Sequence, residues 1–92
     1  MDKNSIIERN MSGVVANEID GEIIMVNIDM GKYYGLDEIG TIIWDMLEKP
    51  VKIESIIEKM TEEYSGERDK IEKDVLKFLE KLLKERIIKI VS

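Results

Sequence analysis

One stretch, KYYGLDEIGTIIWDML at residues 32–47, decides the fold of this chain. Its first part is rich in aromatic residues that favour extended strands, and this part ends at Gly35. Asp37 then stands where a side-chain oxygen can cap a helix, and the apolar residues that follow recur at helical spacing. The stretch therefore predicts an exposed strand from Lys32 to Leu36 that passes directly into a helix near residues 38–47.

Upstream of this stretch, two further strands are predicted, from Val14 to Ile19 and from Glu22 to Ile28. Between them, Asp20-Gly21 supplies the two positive-φ positions of a tight hairpin. Asp29-Met30-Gly31 fits a three-residue turn with its glycine in the left-handed region, so the three strands form an antiparallel meander. We expect one face of the second strand to meet the helices, because only that face is unbroken in apolar residues. That face carries Ile24, Val26 and Ile28.

Downstream, apolar residues at helical spacing predict a first helix near residues 38–47 and a second near residues 53–64. The first helix carries on one stripe Ile39, Ile42, Ile43, Met46 and Leu47. Trp44 lies off that stripe, which leaves open whether it packs against a neighbouring element or marks a contact surface. The second helix ends at Ser65-Gly66. Its apolar face carries Ile53, Ile56, Ile57, Met60 and Tyr64.

The third helix is the most strongly patterned. Asp69 and Glu72 stand at the spacing of a capping box, and the apolar stripe that follows lasts about four turns. That stripe consists of Ile71, Val75, Phe78, Leu79, Leu82 and Leu83. Residues 86–91 then change to β-branched types and predict an extended C-terminal tail or a short fourth strand.

Composition limits the chemistry that this chain supports. Ninety-two residues with 43% hydrophobic content predict one domain over residues 1–92, without room for a deep enclosed active site. The absence of cysteine and histidine removes thiolate and imidazole chemistry, and no phosphate loop or calcium-loop pattern occurs. We therefore expect no enzymatic activity, no cofactor and no metal ion. No apolar run approaches the roughly 20 residues of a membrane span, so we expect a cytoplasmic protein without a membrane partner.

The charge of −6 is unevenly placed, with nine acidic and three basic residues in residues 1–46 against eleven of each in residues 47–92. An acidic sheet half disfavours nucleic acid as a partner. On the third helix, however, five lysines fall within roughly 80° of one another, opposite the apolar stripe. This lysine ribbon consists of Lys70, Lys73, Lys77, Lys81 and Lys84. It fits either a solvated helix face or a surface that attracts an acidic partner.

Leu76 lies off both the apolar stripe and the lysine ribbon of the third helix. It is either an isolated exposed leucine or one rim of an apolar groove.

The third predicted strand is the strongest candidate for a binding site. The second strand is its neighbour on one side only, so its other edge offers backbone amides and carbonyls to which an extended peptide can add. Tyr33 and Tyr34 place one aromatic side chain on each face of that edge. The alternative, that both tyrosines pack on the sheet and the C-terminal tail covers the edge, is equally compatible with these residues.

These features together resemble the PqqD-like family of RiPP recognition elements over nearly the whole chain. The residues that carry the resemblance are Gly31, Tyr33, Tyr34, Leu36, Gly40, Ile43 and Trp44, followed by Asp74-Val75, Phe78-Leu79 and Leu82. The chain departs from the family at Asp29-Met30-Gly31, which is shorter than the usual turn. It also has Glu85-Arg86 where a glycine often precedes the final strand.

The resemblance implies a small, winged-helix-like α+β module in which a three-stranded antiparallel meander precedes three helices. It also implies that the protein captures the leader region of a ribosomally synthesised precursor peptide and presents it to a modifying enzyme. The leader would add beside the third strand, in a groove against the third helix. By carry-over from the family, Tyr33, Tyr34 and Leu36 line the strand side and Asp74 lines the helix side. Helix geometry adds three further candidates to the peptide-binding set, which are Lys73, Leu76 and Lys77.

The family serves pyrroloquinoline quinone biosynthesis, with a radical-SAM partner, and lasso-peptide maturation, with a leader peptidase. Because the chain is free-standing, we expect a discrete chaperone of the lasso type or a similar one. The alternative is a winged-helix DNA-binding or regulatory domain whose third helix enters the major groove, which the lysine ribbon favours. The net charge of −6 and the scarcity of Arg, Asn and Gln on that helix argue against it.

Overall fold

The computed structural model describes residues 1–64 and 66–92, which form six strands and three helices. In chain order these are β1 (Ile6–Arg9), β2 (Val14–Ile19), β3 (Glu22–Asn27), β4 (Lys32–Leu36), α1 (Glu38–Met46), β5 (Val51–Lys52), α2 (Ile53–Glu63), α3 (Arg68–Lys84) and β6 (Ile88–Ile90). The predicted α+β class, meander and three helices are confirmed. The predicted end of the second helix lies partly outside the described residues, which do not include Ser65. The winged-helix-like description stays a prediction.

The meander forms an antiparallel sheet with strand order β2-β3-β4. Asp20 and Gly21 both have positive φ, at 53° and 81°, as the tight hairpin requires. Gly31 is also left-handed, with φ of 65°. The turn before β4 is one residue longer than predicted, because β3 ends at Asn27 and Ile28 belongs to the turn.

The prediction for the buried face of β3 is wrong. The buried residues are Ile23, Met25 and Asn27, whereas Ile24 and Ile28 are exposed and Val26 is half-buried. Asn27 can be buried on this face because its polar groups are hydrogen-bonded. Its Nδ2 donates to the Glu85 carbonyl at 3.1 Å, and its Oδ1 accepts from the Met30 amide at 3.1 Å. A buried asparagine that bonds to two turns looks like a break in an apolar pattern until its partners are known.

A second antiparallel sheet, with order β5-β1-β6, was not predicted. Its central strand, β1, pairs Ile6 with Lys52 of β5 and Ile7 with Ile90 of β6. All three strands are short, and their partners lie far apart in the chain, so no local alternation reveals them. For residues 86–91 the sequence predicted either an extended tail or a short further strand. The strand is present as β6, which pairs with β1.

α1 follows β4 as predicted, and Asp37 caps it by accepting a hydrogen bond on Oδ1 from the Gly40 amide at 2.8 Å. Trp44 packs in the core with 2% exposure, which settles the alternatives in favour of packing. Arg9 of β1 lies over its ring, with the guanidinium carbon 4.3 Å from the centroid, and donates to the Trp44 carbonyl at 2.7 Å. Ile39, predicted on the core stripe, is instead 47% exposed.

α3 begins differently from its prediction. Glu67 occupies the N-cap position without a side-chain cap, so the capping box of Asp69 and Glu72 is not formed. Glu72 instead lies 3.4 Å from the Lys3 ammonium. The buried side of the helix packs on α2 and β6 and joins one apolar cluster that both sheets and all three helices share. None of the helices in the described part of the chain is both long and apolar enough to cross a membrane.

Candidate peptide-binding site

β4 is an edge strand. Within the described residues it pairs with β3 on one side and has no strand on the other. The C-terminal strand β6 pairs with β1 in the second sheet, so it does not cover this edge. The alternative in which the tail closes the edge is therefore excluded.

The hairpin geometry tells which amides of β4 point outward. A two-residue hairpin makes Ile19 and Glu22 a hydrogen-bonded pair, so even-numbered residues of β3 bond to β2 and odd-numbered residues bond to β4. The amide of Ile28, the next even-numbered residue after β3, also points toward the β2 side, because it donates to the Gly13 carbonyl at 2.7 Å. Tyr34, opposite Met25, therefore bonds within the sheet. The amides of Tyr33 and Gly35 face away from it and are free to meet an added strand.

The side chains of β4 divide between the two faces of the sheet. Tyr33 lies on the outer face beside Val26 and is 78% exposed. Tyr34 and Leu36 lie on the inner face, where Tyr34 is half-buried and Leu36 is buried. Tyr34 is thus the tyrosine that turns toward α3, which the sequence left undecided.

Glu85 ties the beginning of β4 to the end of α3. Its Oε2 accepts a hydrogen bond from the Tyr34 hydroxyl at 2.6 Å and lies 3.4 Å from the Lys32 ammonium. Desolvation, followed by the bond to Glu85 and its charge, raises the pKa of Tyr34 to about 12. The Tyr34 bond, helped by Lys32 and opposed by desolvation, lowers the pKa of Glu85 below its ordinary value. Glu85 therefore holds the beginning of β4 to the end of α3.

An apolar pocket of about 420 Å³ opens where β4 ends, between the start of α1, the end of α2 and the first half of α3. Its apolar walls are formed by Ile39, Ile43, Met60, Tyr64, Ile71, Val75 and Phe78. Its polar rim is formed by Asp37, Glu67, Lys70 and Asp74. A pocket of this size and composition can hold one or two large apolar side chains of an extended peptide.

Gly40 brings α1 and α3 together at this pocket. A Cβ atom at Gly40 would lie 3.3 Å from Cζ of Phe78 and 3.4 Å from Cβ of Leu36. The missing side chain thus lets the Phe78 ring pack on the first turn of α1, next to the end of β4. In a helix interior glycine costs about 1 kcal/mol relative to alanine, so close packing is the physical reason for it here.

The predicted residues of α3 lie on different sides of the helix. With about 100° of rotation per residue, Glu67, Asp74, Phe78 and Glu85 fall within about 40° of one another. Three of them line the pocket and Glu85 bonds to Tyr34, so we call this side the groove flank. Asp74 thus borders the pocket. Lys77 lies about 80° from the middle of the groove flank and Lys73 about 120°, both exposed.

Leu76 lies on the opposite side of α3 from the groove flank. It is half-buried against the apolar cluster, on the side where Glu72 meets Lys3. Neither of the alternatives weighed for Leu76, an isolated exposed leucine or a groove rim, describes this position.

Most of the pocket residues cannot be recognised from the sequence. Helical spacing predicts Ile39 and Phe78 in core stripes and Tyr64 on the apolar face of the second helix, because spacing does not separate a core residue from one beside an open pocket. The available signal was Gly40, a glycine one turn into a helix beside an apolar stripe. Among the described residues, no three acidic side chains lie close enough together to hold a metal ion.

Comparisons with known proteins place the chain among relatives of this architecture. The family model for coenzyme PQQ synthesis protein D (PqqD) matches residues 22–88. The chain belongs to the PqqD family. This confirms the resemblance stated above, and the match runs from β3 to β6, so it includes β4, the pocket and α3. A search of curated protein sequences found no match.

Two solved structures share the PqqD-family fold of this chain. TbiB1, in complex with the TbiA(beta) leader peptide, is 32% identical, with a TM-score of 0.79 over 89% of this chain and 94% of TbiB1. A lasso peptide synthetase B1 complexed with the leader peptide has a TM-score of 0.79 over 90% of this chain and 96% of its own. At 17% identity, the second likeness concerns the fold alone.

Proposed function

We propose that this PqqD-family protein binds the leader region of a ribosomally synthesised precursor peptide and catalyses no reaction on it. The observation that carries the proposal is the unpaired edge of β4 next to an apolar pocket, in a chain that is 32% identical to TbiB1 in complex with a leader peptide. Strand addition supplies main-chain hydrogen bonds, and the pocket supplies selection of one side chain.

In the proposed mode, the leader lies beside β4 and bonds to the outward amides of Tyr33 and Gly35. Its inward side chains alternate with its outward ones, so every second residue turns toward the pocket and α3. Tyr34 and Leu36 form the floor beneath the edge. Asp74 borders the pocket, and Lys73 and Lys77 lie farther round α3. We leave Leu76 out of the site because it lies on the other side of the helix.

We further propose that the bound leader is presented to a modifying enzyme, such as a leader peptidase or a radical-SAM enzyme. A module that holds only the leader leaves the rest of the precursor free for a second protein. The cytoplasm, where precursor peptides are synthesised, is the proposed compartment.

Gly35 allows a sharp test of strand addition. Gly35→Pro removes an outward amide and no side chain, whereas Gly35→Ala keeps the amide and places a methyl group where nothing lies within 4 Å. In calorimetric titrations with the leader encoded beside the gene, we expect Gly35→Ala to bind like the parent and Gly35→Pro to lose binding while its circular dichroism spectrum is retained. Equal binding by a folded Gly35→Pro variant would show that the leader does not add to β4.

A further inference from the structure

The lysine ribbon of α3 has no structural partner in the described part of the chain. All five of its side chains are exposed, and none has a carboxylate within ion-pair distance. Five cations outside the ribbon form ion pairs at 3.3–3.4 Å, which are Lys3, Lys32, Lys59, Arg68 and Lys89. Four others, Arg9, Lys49, Lys52 and Arg86, form none among the described residues. The ribbon is therefore a concentration of unpaired positive charge on a protein whose net charge is −6.

The spacing of the ribbon works against the stability of α3. Its successive members are three or four residues apart, so each is the helical neighbour of the next and repels it. Lys70 also lies in the first turn of α3, where the helix dipole disfavours a cation. Only Lys81 and Lys84, in the last turn, are favoured by the dipole. Acidic residues three or four positions from the lysines, at Asp69, Asp74, Glu80 and Glu85, offset part of this repulsion.

The ribbon runs along the proposed peptide groove. β4 and α3 are antiparallel, because the beginning of β4 meets Glu85 while its end lies near Phe78 through Gly40. Lys70 lines the pocket itself. Lys81 and Lys77 follow along the helix, about 40° and 80° from the middle of the groove flank, within reach of a flexible lysine side chain.

We propose that the peptide taken by this groove is acidic where it passes Lys77 and Lys81, with carboxylates at alternate positions. An apolar residue beside this acidic part fills the pocket, whose rim of Asp37, Glu67 and Asp74 does not favour a further carboxylate. This inference rests on the proposed function and names the class of leader. Alternate residues of a strand are about 6.7 Å apart, and lysines three or four residues apart on a helix are about 5–6 Å apart. A peptide strand along α3 can therefore set successive inward carboxylates against successive lysines of the ribbon.

The test is a selection from a random library of displayed 15-residue peptides against three forms of the full chain. These are the parent, the ribbon variant Lys77→Glu/Lys81→Glu, and the control variant Lys49→Glu/Lys52→Glu. The control makes the same change of charge at exposed lysines outside α3. Glutamate is a good helix former, so the ribbon variant is expected to fold, which circular dichroism checks.

We expect the parent and the control to enrich peptides with Asp or Glu at alternate positions beside a large apolar residue. The ribbon variant should lose that enrichment. A peptide selected on the parent should bind the ribbon variant about tenfold more weakly, and the control within about twofold, since two exposed charge contacts change sign. The same peptide should bind the parent more weakly as salt rises.

Three outcomes would overturn the inference. Peptides that require the Gly35 amide but show no acidic enrichment would refute an acidic leader and leave leader binding standing. Failure of the folded parent to enrich any peptide would refute the proposed function, and this inference with it. Binding of duplex DNA that the ribbon variant loses would assign the ribbon to a phosphate backbone instead.

Discussion

At the scale of single residues, Glu85 joins the two walls of the proposed groove through Tyr34 and Lys32. Because the pKa of Glu85 is lowered, its contribution to stability is present above its ordinary pKa of 4.5 and is lost as pH falls below that value. Because the pKa of Tyr34 is raised from 10.0 to about 12, the contribution of its neutral phenol is complete below pH 10 and is lost as pH rises toward 12. The contact is therefore intact across the neutral range.

Tyr34 gives a spectroscopic check of this contact. In the parent, one tyrosine should ionise near pH 12 in an ultraviolet titration, and Tyr34→Phe should remove that transition. In Glu85→Ala the pKa of Tyr34 should move toward 10.0 but stay above it, because desolvation is the largest cause of the shift. A Tyr34 transition that does not move in Glu85→Ala would show that the hydrogen bond is not formed in solution.

Ile39 allows the pocket to be tested without disturbing the core. It lines the pocket with 47% exposure, so Ile39→Ser should change the free energy of unfolding by less than about 1 kcal/mol. If the leader covers it, burial of its exposed area contributes about 1–2 kcal/mol, and Ile39→Ser should weaken leader binding about tenfold in calorimetry. Ile19→Ser, at a residue 55% exposed and outside the pocket, is the matched control and should bind normally. Equal affinities for the two variants would place the leader away from this pocket.

At the scale of elements, alternate amides of β4 point toward β3 and away from it. Tyr34→Pro removes a bond to β3 together with the Tyr34 contact to Glu85, and should lower the free energy of unfolding by about 3 kcal/mol. Tyr33→Pro removes an outward amide and should leave the urea midpoint close to that of the parent, because proline is accepted on an edge strand. Leader binding should be lost in Tyr33→Pro and kept in Tyr33→Ala, apart from the contribution of the ring. Equal destabilisation by both prolines would contradict the assigned amide directions.

The elements that were predicted from sequence are those whose causes are local. The hairpin at Asp20-Gly21, the strand Lys32–Leu36 and the cap at Asp37 each depend on residues within a few positions of one another, and all are confirmed. The prediction for the inner face of β3 is wrong because Asn27 is buried with hydrogen bonds to Glu85 and Met30. Glu85 lies 58 residues away in the sequence, so this bond leaves no local pattern. For the site, the edge strand was predictable, while the pocket required knowledge of how α1 and α3 meet at Gly40.

At the scale of the whole molecule, Arg9 links the second sheet to the helix that packs on the first. Its guanidinium lies 4.3 Å from the centre of the Trp44 ring and donates to the carbonyl near the end of α1. Arg9→Met keeps much of the side-chain volume but loses both contacts, and should lower the free energy of unfolding by about 2–3 kcal/mol in urea titrations. Arg9→Lys should recover part of this loss through its charge. A Met variant as stable as the parent would show that the sheets are held together by apolar packing alone.

The pairing of β1 with β6 also orders the events of folding. Every pair in the β2-β3-β4 sheet joins residues that lie close together in the chain, whereas Ile7 of β1 must find Ile90. Closing so long a loop costs more chain entropy than closing a hairpin, and such contacts form slowly. During synthesis the meander can therefore form, with the free edge of β4, before β6 has been made and can pair with β1. Until β5 and β6 have been made, both edges of β1 are unpaired, and Ile6 and Ile7 are open to contacts with other chains.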